Sequence, residues 1–287
     1  MNNAEYNQIL QRTEQQADLI HQQVKASCND IHRHAMAASK AFYDGLVLKA
    51  PQWIQQAKCQ NSVNNIFRVR SQAKVYTEEL TKILSNHVKE TTQLWVNERF
   101  IPLLKSEIET LAMTVNTQTE DCYTGLEKLR VTLDVNRRRI VDEATPSNTN
   151  RVLSTGASLL IGDLPGAIMG GAGGFDAMLK TLGCEFAAGI ILGIVALFTP
   201  VGWTALIISA VLAAIAGGAW SLSSIESKIR KNVAEETVKL LKSDEQRESF
   251  NHLMTQQIDT ALTPICECVE EKLEQLHITT NAYHKVS

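Results

Sequence analysis

At 287 residues the chain can bury a sizeable core, and its length allows one large domain or two ordinary ones. Its 28 basic and 31 acidic residues nearly cancel, to a formal net charge of -3, which argues against nucleic acid as a partner. The hydrophobic content is uneven: it is densest between Val152 and Trp220, and the flanks read as long amphipathic helices.

The first predicted helix covers 4–48. Ile9, Ala17, Ile20, Val24, Cys28, Ile31 and Ala35 recur at three- and four-residue steps along one side. Ala50 and Pro51 predict a break or kink. A second helical pattern starts near Trp53, is weak around "CQNSVNN", and resumes at Ile66 through Val69, Ala73, Tyr76, Leu80, Ile83, Leu84, Val88, Leu94 and Trp95. Pro102 marks a kink or junction. From Leu104 the stripe sharpens through Ile108, Leu111, Val115, Gln118 and Cys122. It then shifts register by one residue and continues as Leu126, Leu129, Leu133, Asn136 and Ile140, a heptad-like seam with a stutter. One unbroken helix from Ile66 to Asp142 would be roughly 115 Å long, and helices of that length pack side by side as a stalk.

The turn- and cap-forming run "EATPSNTN" at 143–150 separates this part from a different one. From Phe186 to Ile225 forty residues pass without Asp, Glu, Lys or Arg. Val201 to Trp220 is twenty residues with only Thr204 and Ser209 polar, about 30 Å of helix, the thickness of a hydrocarbon core. Phe186 to Phe198 is a shorter arm, and "TPVG" at 199–202 joins the two into a hairpin that could cross a bilayer or dip in and return. Gly162, Gly166, Gly170 and Gly174 fall at strict four-residue steps, as do Gly189 and Gly193, and Ala213 and Gly217. Such stripes let helices approach closely, above all in lipid.

A neutral pair of helices can also be the buried core of a large bundle. The narrow apolar stripes of the flanks leave little surface to cover it, which favours a membrane. The candidate contacts on the hairpin are Phe186, Ile191, Val195, Phe198, Trp203, Leu206, Ile207, Val211 and Trp220, with Phe175, Met178 and Lys180 as an interfacial anchor just upstream.

Residues 221–263 return to a charged amphipathic style with Ile225, Ile229, Val233, Val238, Leu241, Phe250, Leu253 and Ile258 on the apolar side. Pro264 predicts an interruption before one short closing helix and ten frayed residues. No strand pattern appears. The fold expected is all-α: an elongated antiparallel bundle of long amphipathic helices with a hydrophobic glycine-rich helical hairpin. Its parts are a first stalk portion at 1–150, the membrane-interacting region at 151–220, and a returning helix with a short C-terminal helix at 221–287.

Chemical signals are weak. "GGAGG" at 170–174 has no preceding strand and no following Lys-Ser or Lys-Thr, so it is no nucleotide cradle. His32 and His34, and Cys266 and Cys268, are each two apart and face different sides of a helix, a poor spacing for one metal. No catalytic constellation, metal site or cofactor is expected, and the chain does not read as an enzyme. The six cysteines are scattered through helical patterns and read as reduced and mainly structural, hence a cytosolic setting. No signal peptide is expected from "MNNAEYNQILQRTEQQADLIHQQ".

The run "STGASLLIGDLPGAIMGGAGGFDAMLKTL", with Gly162, Asp163, Gly170, Gly171, Gly174, Phe175 and Lys180, followed by the neutral hairpin, resembles the C-terminal part of bacterial dynamin-like proteins. The resemblance implies a helical stalk with a membrane-contacting paddle. The GTPase head is missing, so GTP hydrolysis does not carry over, and a separate GTPase partner would have to supply it. The outline is also similar to helical pore-forming toxins of the haemolysin type, which implies oligomerisation on membranes and, for such a toxin, export without a signal peptide. The reading from sequence is therefore a membrane-binding or membrane-remodelling stalk protein. It is cytoplasmic and peripherally or reversibly membrane-associated, with lipid bilayer and self-association or a helical protein as partners. A pore-forming toxin component and a soluble helical scaffold or interaction module are the alternatives.

Overall fold

The computed structural model describes residues 3–143, 184–198, 201–217 and 221–284. Gly162, Gly166, Gly170, Gly174, Phe175, Met178, Lys180 and Trp220 lie outside them. Among the described residues every regular element is a helix and none is a strand, so the protein is an all-α helical bundle. Helix α1 spans Asn3–Gln56. A 3-10 turn at Ile66–Arg68 leads into α2, Val69–Trp95, and a π turn at Val96–Phe100 leads into α3, Ile101–Glu143. Helices α4 (Cys184–Phe198), α5 (Val201–Gly217), α6 (Leu222–Leu241) and α7 (Asp244–His284) complete it.

The chain divides into two compact units. The first takes Met1–Ile31, Lys105–Leu182 and Thr260–Ser287. In it Leu10, Ala17, Ile20 and Val24 of α1 are buried, as are Ile108, Leu111, Val115 and Cys122 of α3 and Ile265, Val269, Leu273 and Leu276 of α7. Polar residues within these stripes satisfy themselves: Thr13, Thr119 and Thr280 each donate to the carbonyl four residues back, at 3.0, 2.7 and 2.8 Å. The stutter predicted after Cys122 has Leu126 buried, while the side chains of Leu129, Leu133, Asn136 and Ile140 lie outside the described residues.

The second unit takes His32–Leu104 and Gly183–Asp259. Its core is built from Leu46, Ala50 and Ile54 of α1, Ala73, Tyr76, Leu80 and Leu84 of α2, Val96 and Phe100 of the π turn, Ile229 and Val233 of α6, and Phe250, Met254 and Ile258 of α7.

Prolines behave differently from the sequence expectation. Helix α1 runs through Pro51 to Gln56. Losing one N–H and crowding the carbonyl four residues back costs about 3 kcal/mol in a helix interior. Burial of Leu46, Val47, Ala50 and Ile54 on the same segment offsets that cost. The end of α1 is further held by Arg230, whose guanidinium donates to the carbonyls of Ile54 and Gln55 at 2.8 and 3.2 Å and lies 5.5 Å from the centre of the Tyr76 ring. Pro102 does form a junction. The chain passes into a π turn just before it, where Ile101 N–H reaches back to the carbonyl of Val96. The extra residue absorbs the hydrogen bond that Pro102 cannot make. The stack of Phe42 on Trp95, 4.1 Å between centroids, with Trp95 4.7 Å from Phe100, packs this turn.

Pro264 does not interrupt the last helix either. Helix α7 extends through it to His284, so the predicted short closing helix and frayed end are part of one long element. The actual break falls at Lys242 and Ser243. There Ser243 Oγ accepts from the N–H of Gln246 at 3.4 Å, with Asp244 and Glu245 in the first turn of α7. Ser followed three residues later by Gln, with acids between, is a helix-start signature that lies within a wholly polar run.

The weak "CQNSVNN" stretch is a loop. Glu79 holds it by accepting from the N–H of Gln60, and from the N–H and Nδ2 of Asn61 at 3.0 and 2.9 Å; these donors, Gln60 first, pull its carboxyl below the ordinary value. Glu226 accepts from the N–H of Val63 at 2.9 Å.

Candidate membrane-contact face

Among the described residues, one segment, Phe186–Gly217, is long and apolar enough to cross a membrane by length and composition, with mean hydropathy 2.2. Only 29% of its most apolar window is buried, whereas a core helix of a water-soluble bundle would be mostly covered. Its neighbours are in the second unit. Both α4 and α5 lie against α2; α4 also meets the π turn, and α5 meets α6.

Burial on α4 is one-sided. Ala187, Ile190, Ile194 and Phe198 are buried at steps of three and four, and Ala188, Leu192 and Ala196 are exposed at steps of four. That is the geometry of a helix docked by one stripe. On α5 the buried positions are Ile207 and Val211; Ala205, Leu206, Ser209, Ala213 and Ala216 are exposed. Leu192 is 68% exposed and Leu206 58%. Leu48, Met113 and Leu94 are exposed to a similar degree, so what sets Leu192 and Leu206 apart is the absence of charged residues anywhere along their helices beyond Glu185.

The inner contacts are specific. A Cβ on Gly193 would come 2.8 and 2.9 Å from the methyls of Leu253, and one on Gly189 would come 3.4 Å from Gln257 Oε1. The four-residue glycine step therefore brings α4 close to α7, with Gly193 seating Leu253. Gly217 has open space around it. Gln246 Nε2 donates to the carbonyl of Leu197 at 2.8 Å, satisfying one of the last carbonyls of α4.

At the end of α4 the Phe198 ring lies 5.5 Å from Tyr43 and 6.3 Å from Trp203, and Tyr43 lies 4.7 Å from Phe250. Tyr43 donates its hydroxyl to the carbonyl of Leu241 at 2.7 Å, and burial pushes its pKa up to about 12. Leu84 of α2, with Phe198, Trp203 and Ile207, lines a cleft of about 250 Å³ against the start of α5.

The residues singled out in the sequence thus divide between two faces. Phe198, Ile207 and Val211 point into the bundle; Phe186, Ile191, Val195 and Trp203 are half-buried along its margin; Leu206 faces outward. Leu192 and its small neighbours Ala188 and Ala196 were not picked out. Every position of α4 beyond Glu185 is apolar or glycine, so no contrast in the sequence distinguishes inside from outside. Phe67, 95% exposed on the 3-10 turn, was also not picked out. Asn65 Oδ1 caps that turn by accepting from its N–H at 2.9 Å.

Among the described residues no group of three or more His, Cys, Asp or Glu side chains is arranged to hold a metal ion. His32 Nδ1 lies 3.0 Å from Asp259 Oδ1, a link between α1 and α7 in the second unit. Comparisons with protein-family models, with curated proteins and with solved structures found no match to this chain.

Proposed function

We propose that the chain is a helical scaffold that works beside a membrane, keeping its neutral α4–α5 segment docked by the inner stripe and offering the outer face to lipid. The observation that carries this reading is the one-sided burial of an uncharged segment, with Ile190, Ile194 and Val211 fully covered while Leu192 and Leu206 stand in solvent. The inner contacts favour a segment that is held over one that is spring-loaded: Gly193 against Leu253, Gln246 on the Leu197 carbonyl, and Phe198 beside Tyr43. The role is then binding and organising, not catalysis. The pore-forming alternative requires this seam to open.

Vesicles loaded with a self-quenched dye test the proposal. The protein should float with them and leave the dye inside. Rapid dye release would replace the scaffold reading with the pore reading, and failure to float would remove the membrane from the account.

A further inference from the structure

Two cysteines that are 238 residues apart in sequence meet in the first unit. Cys28 Sγ of α1 and Cys266 Sγ of α7 lie 2.9 Å apart. Cys28 sits in the buried stripe that contains Ile20, Val24 and Ile31, and Cys266 follows the buried Ile265, half-open to solvent. From sequence Cys266 reads as reduced and mainly structural, at a poor spacing from Cys268 for one metal. The fold instead gives it a partner on another helix.

We propose that Cys28 and Cys266 are a reversible redox pair, whose disulfide staples α1 to α7 when a hydroperoxide is present. The chemistry divides between the two thiols. The two sulfurs share one hydrogen bond, which lowers the pKa of Cys266 and, with burial, raises that of Cys28. The pair thus loses one proton more readily than the second, and because Cys28 is buried and Cys266 half-open to solvent, the reacting thiolate is assigned to Cys266. A thiol that ionises near ambient pH is well placed to attack.

The Cys266 thiolate attacks the terminal oxygen of the hydroperoxide: an S–O bond forms, the O–O bond breaks, and the leaving oxygen takes a proton from water and departs as an alcohol or water. Cys28 then attacks the sulfur of the Cys266 sulfenic acid: the S–S bond forms, the S–O bond breaks, and hydroxide leaves with the proton of Cys28 as water. The two thiols lose two electrons and the peroxide gains them. A dithiol reverses the step by exchange. Cys122, buried on α3 and pushed up to about 11 by that burial, is an internal contrast that should stay reduced.

The test treats the full chain with one equivalent of hydrogen peroxide, blocks free thiols, and maps the peptides without reductant. The expected result is a linked peptide pair joining Cys28 to Cys266, lighter by two hydrogens and released by dithiothreitol, with Cys122 still alkylated. In Cys28→Ala, Cys266 should stop at the sulfenic acid and be trapped by dimedone. Because that variant leaves a small gap in α1, the wild-type map stands as an independent readout. Both thiols still free, Cys266 bridged to another cysteine, or Cys266 driven to sulfinic acid with no bridge in the wild type would each overturn the proposal.

Discussion

Replacing both Leu192 and Leu206 with Asp leaves the bundle folded and abolishes flotation with phospholipid vesicles. Both side chains are largely in solvent, at 68% and 58% exposure, so the folded state in water loses little by the change. In lipid the balance reverses: an aspartate at the centre of a membrane-inserted helix costs about 2.5–3.5 kcal/mol on insertion scales. Two such penalties lower partitioning by more than a hundredfold at full depth and by less where the face only skims the interface. Circular dichroism and thermal unfolding check that the fold survives, and flotation against wild type reads the effect. Equal flotation of the two proteins with unchanged stability would mean that this face does not meet lipid. Val195→Asp is a poorer probe, because Val195 is half-buried and its substitution would disturb the docking as well.

The second large effect is on stability. Phe250→Ala should lower the unfolding free energy by about 3–5 kcal/mol, the usual cost of emptying a fully buried phenylalanine site. Phe250 is 1% exposed and packs 4.7 Å from Tyr43, whose ring also contacts Phe198 at the end of α4. The cavity would open beneath the ring that seats the end of α4, so the loss should appear in chemical denaturation and as increased binding of a hydrophobic dye at neutral pH. Tyr43→Phe isolates a smaller contribution. It keeps the ring and removes the hydroxyl that the Leu241 carbonyl accepts from, at about 1 kcal/mol for a typical hydrogen bond. A Phe250→Ala protein as stable as wild type would show that the aromatic cluster does not anchor α4.

Much of the bundle could be read from spacing because charged residues on the flanking helices contrast with their apolar stripes. Ala17, Ile20, Val24, Cys28, Ile31 and Ala35 are buried as the period required, and so are Ala73, Tyr76, Leu80, Leu84 and Val88. At the start of α1 the stripe sits one residue away from the prediction: Leu10 is fully buried and Ile9 only partly. Pro51 and Pro264 end no helix, for an energetic reason. A proline weakens a helix by a fixed local amount, whereas tertiary burial around Pro51 and Pro264 is invisible in the local sequence. The break at Lys242 and Ser243 was missed although the polar run from Lys242 to Ser249 interrupts the apolar spacing there, because a charged run also fits the exposed face of one continuous helix. In α4 and α5 the neutrality that identified the segment also removed the contrast needed to orient it, so Leu192 went unnoticed while Ile207 and Val211 were named for a face they do not present here. The Cys28–Cys266 encounter depends on how two distant helices pair, and no local pattern encodes that.

Photolabelling with a diazirine carried on a lipid acyl chain, read residue by residue by mass spectrometry on the wild-type protein bound to vesicles, tests one-sided lipid contact of α4 and α5 with no substitution at all. Adducts should fall on Leu192 and Leu206 and spare Ile190, Ile194, Ile207 and Val211. Labelling spread evenly around α4 and α5, or no label anywhere between Cys184 and Gly217, would contradict it.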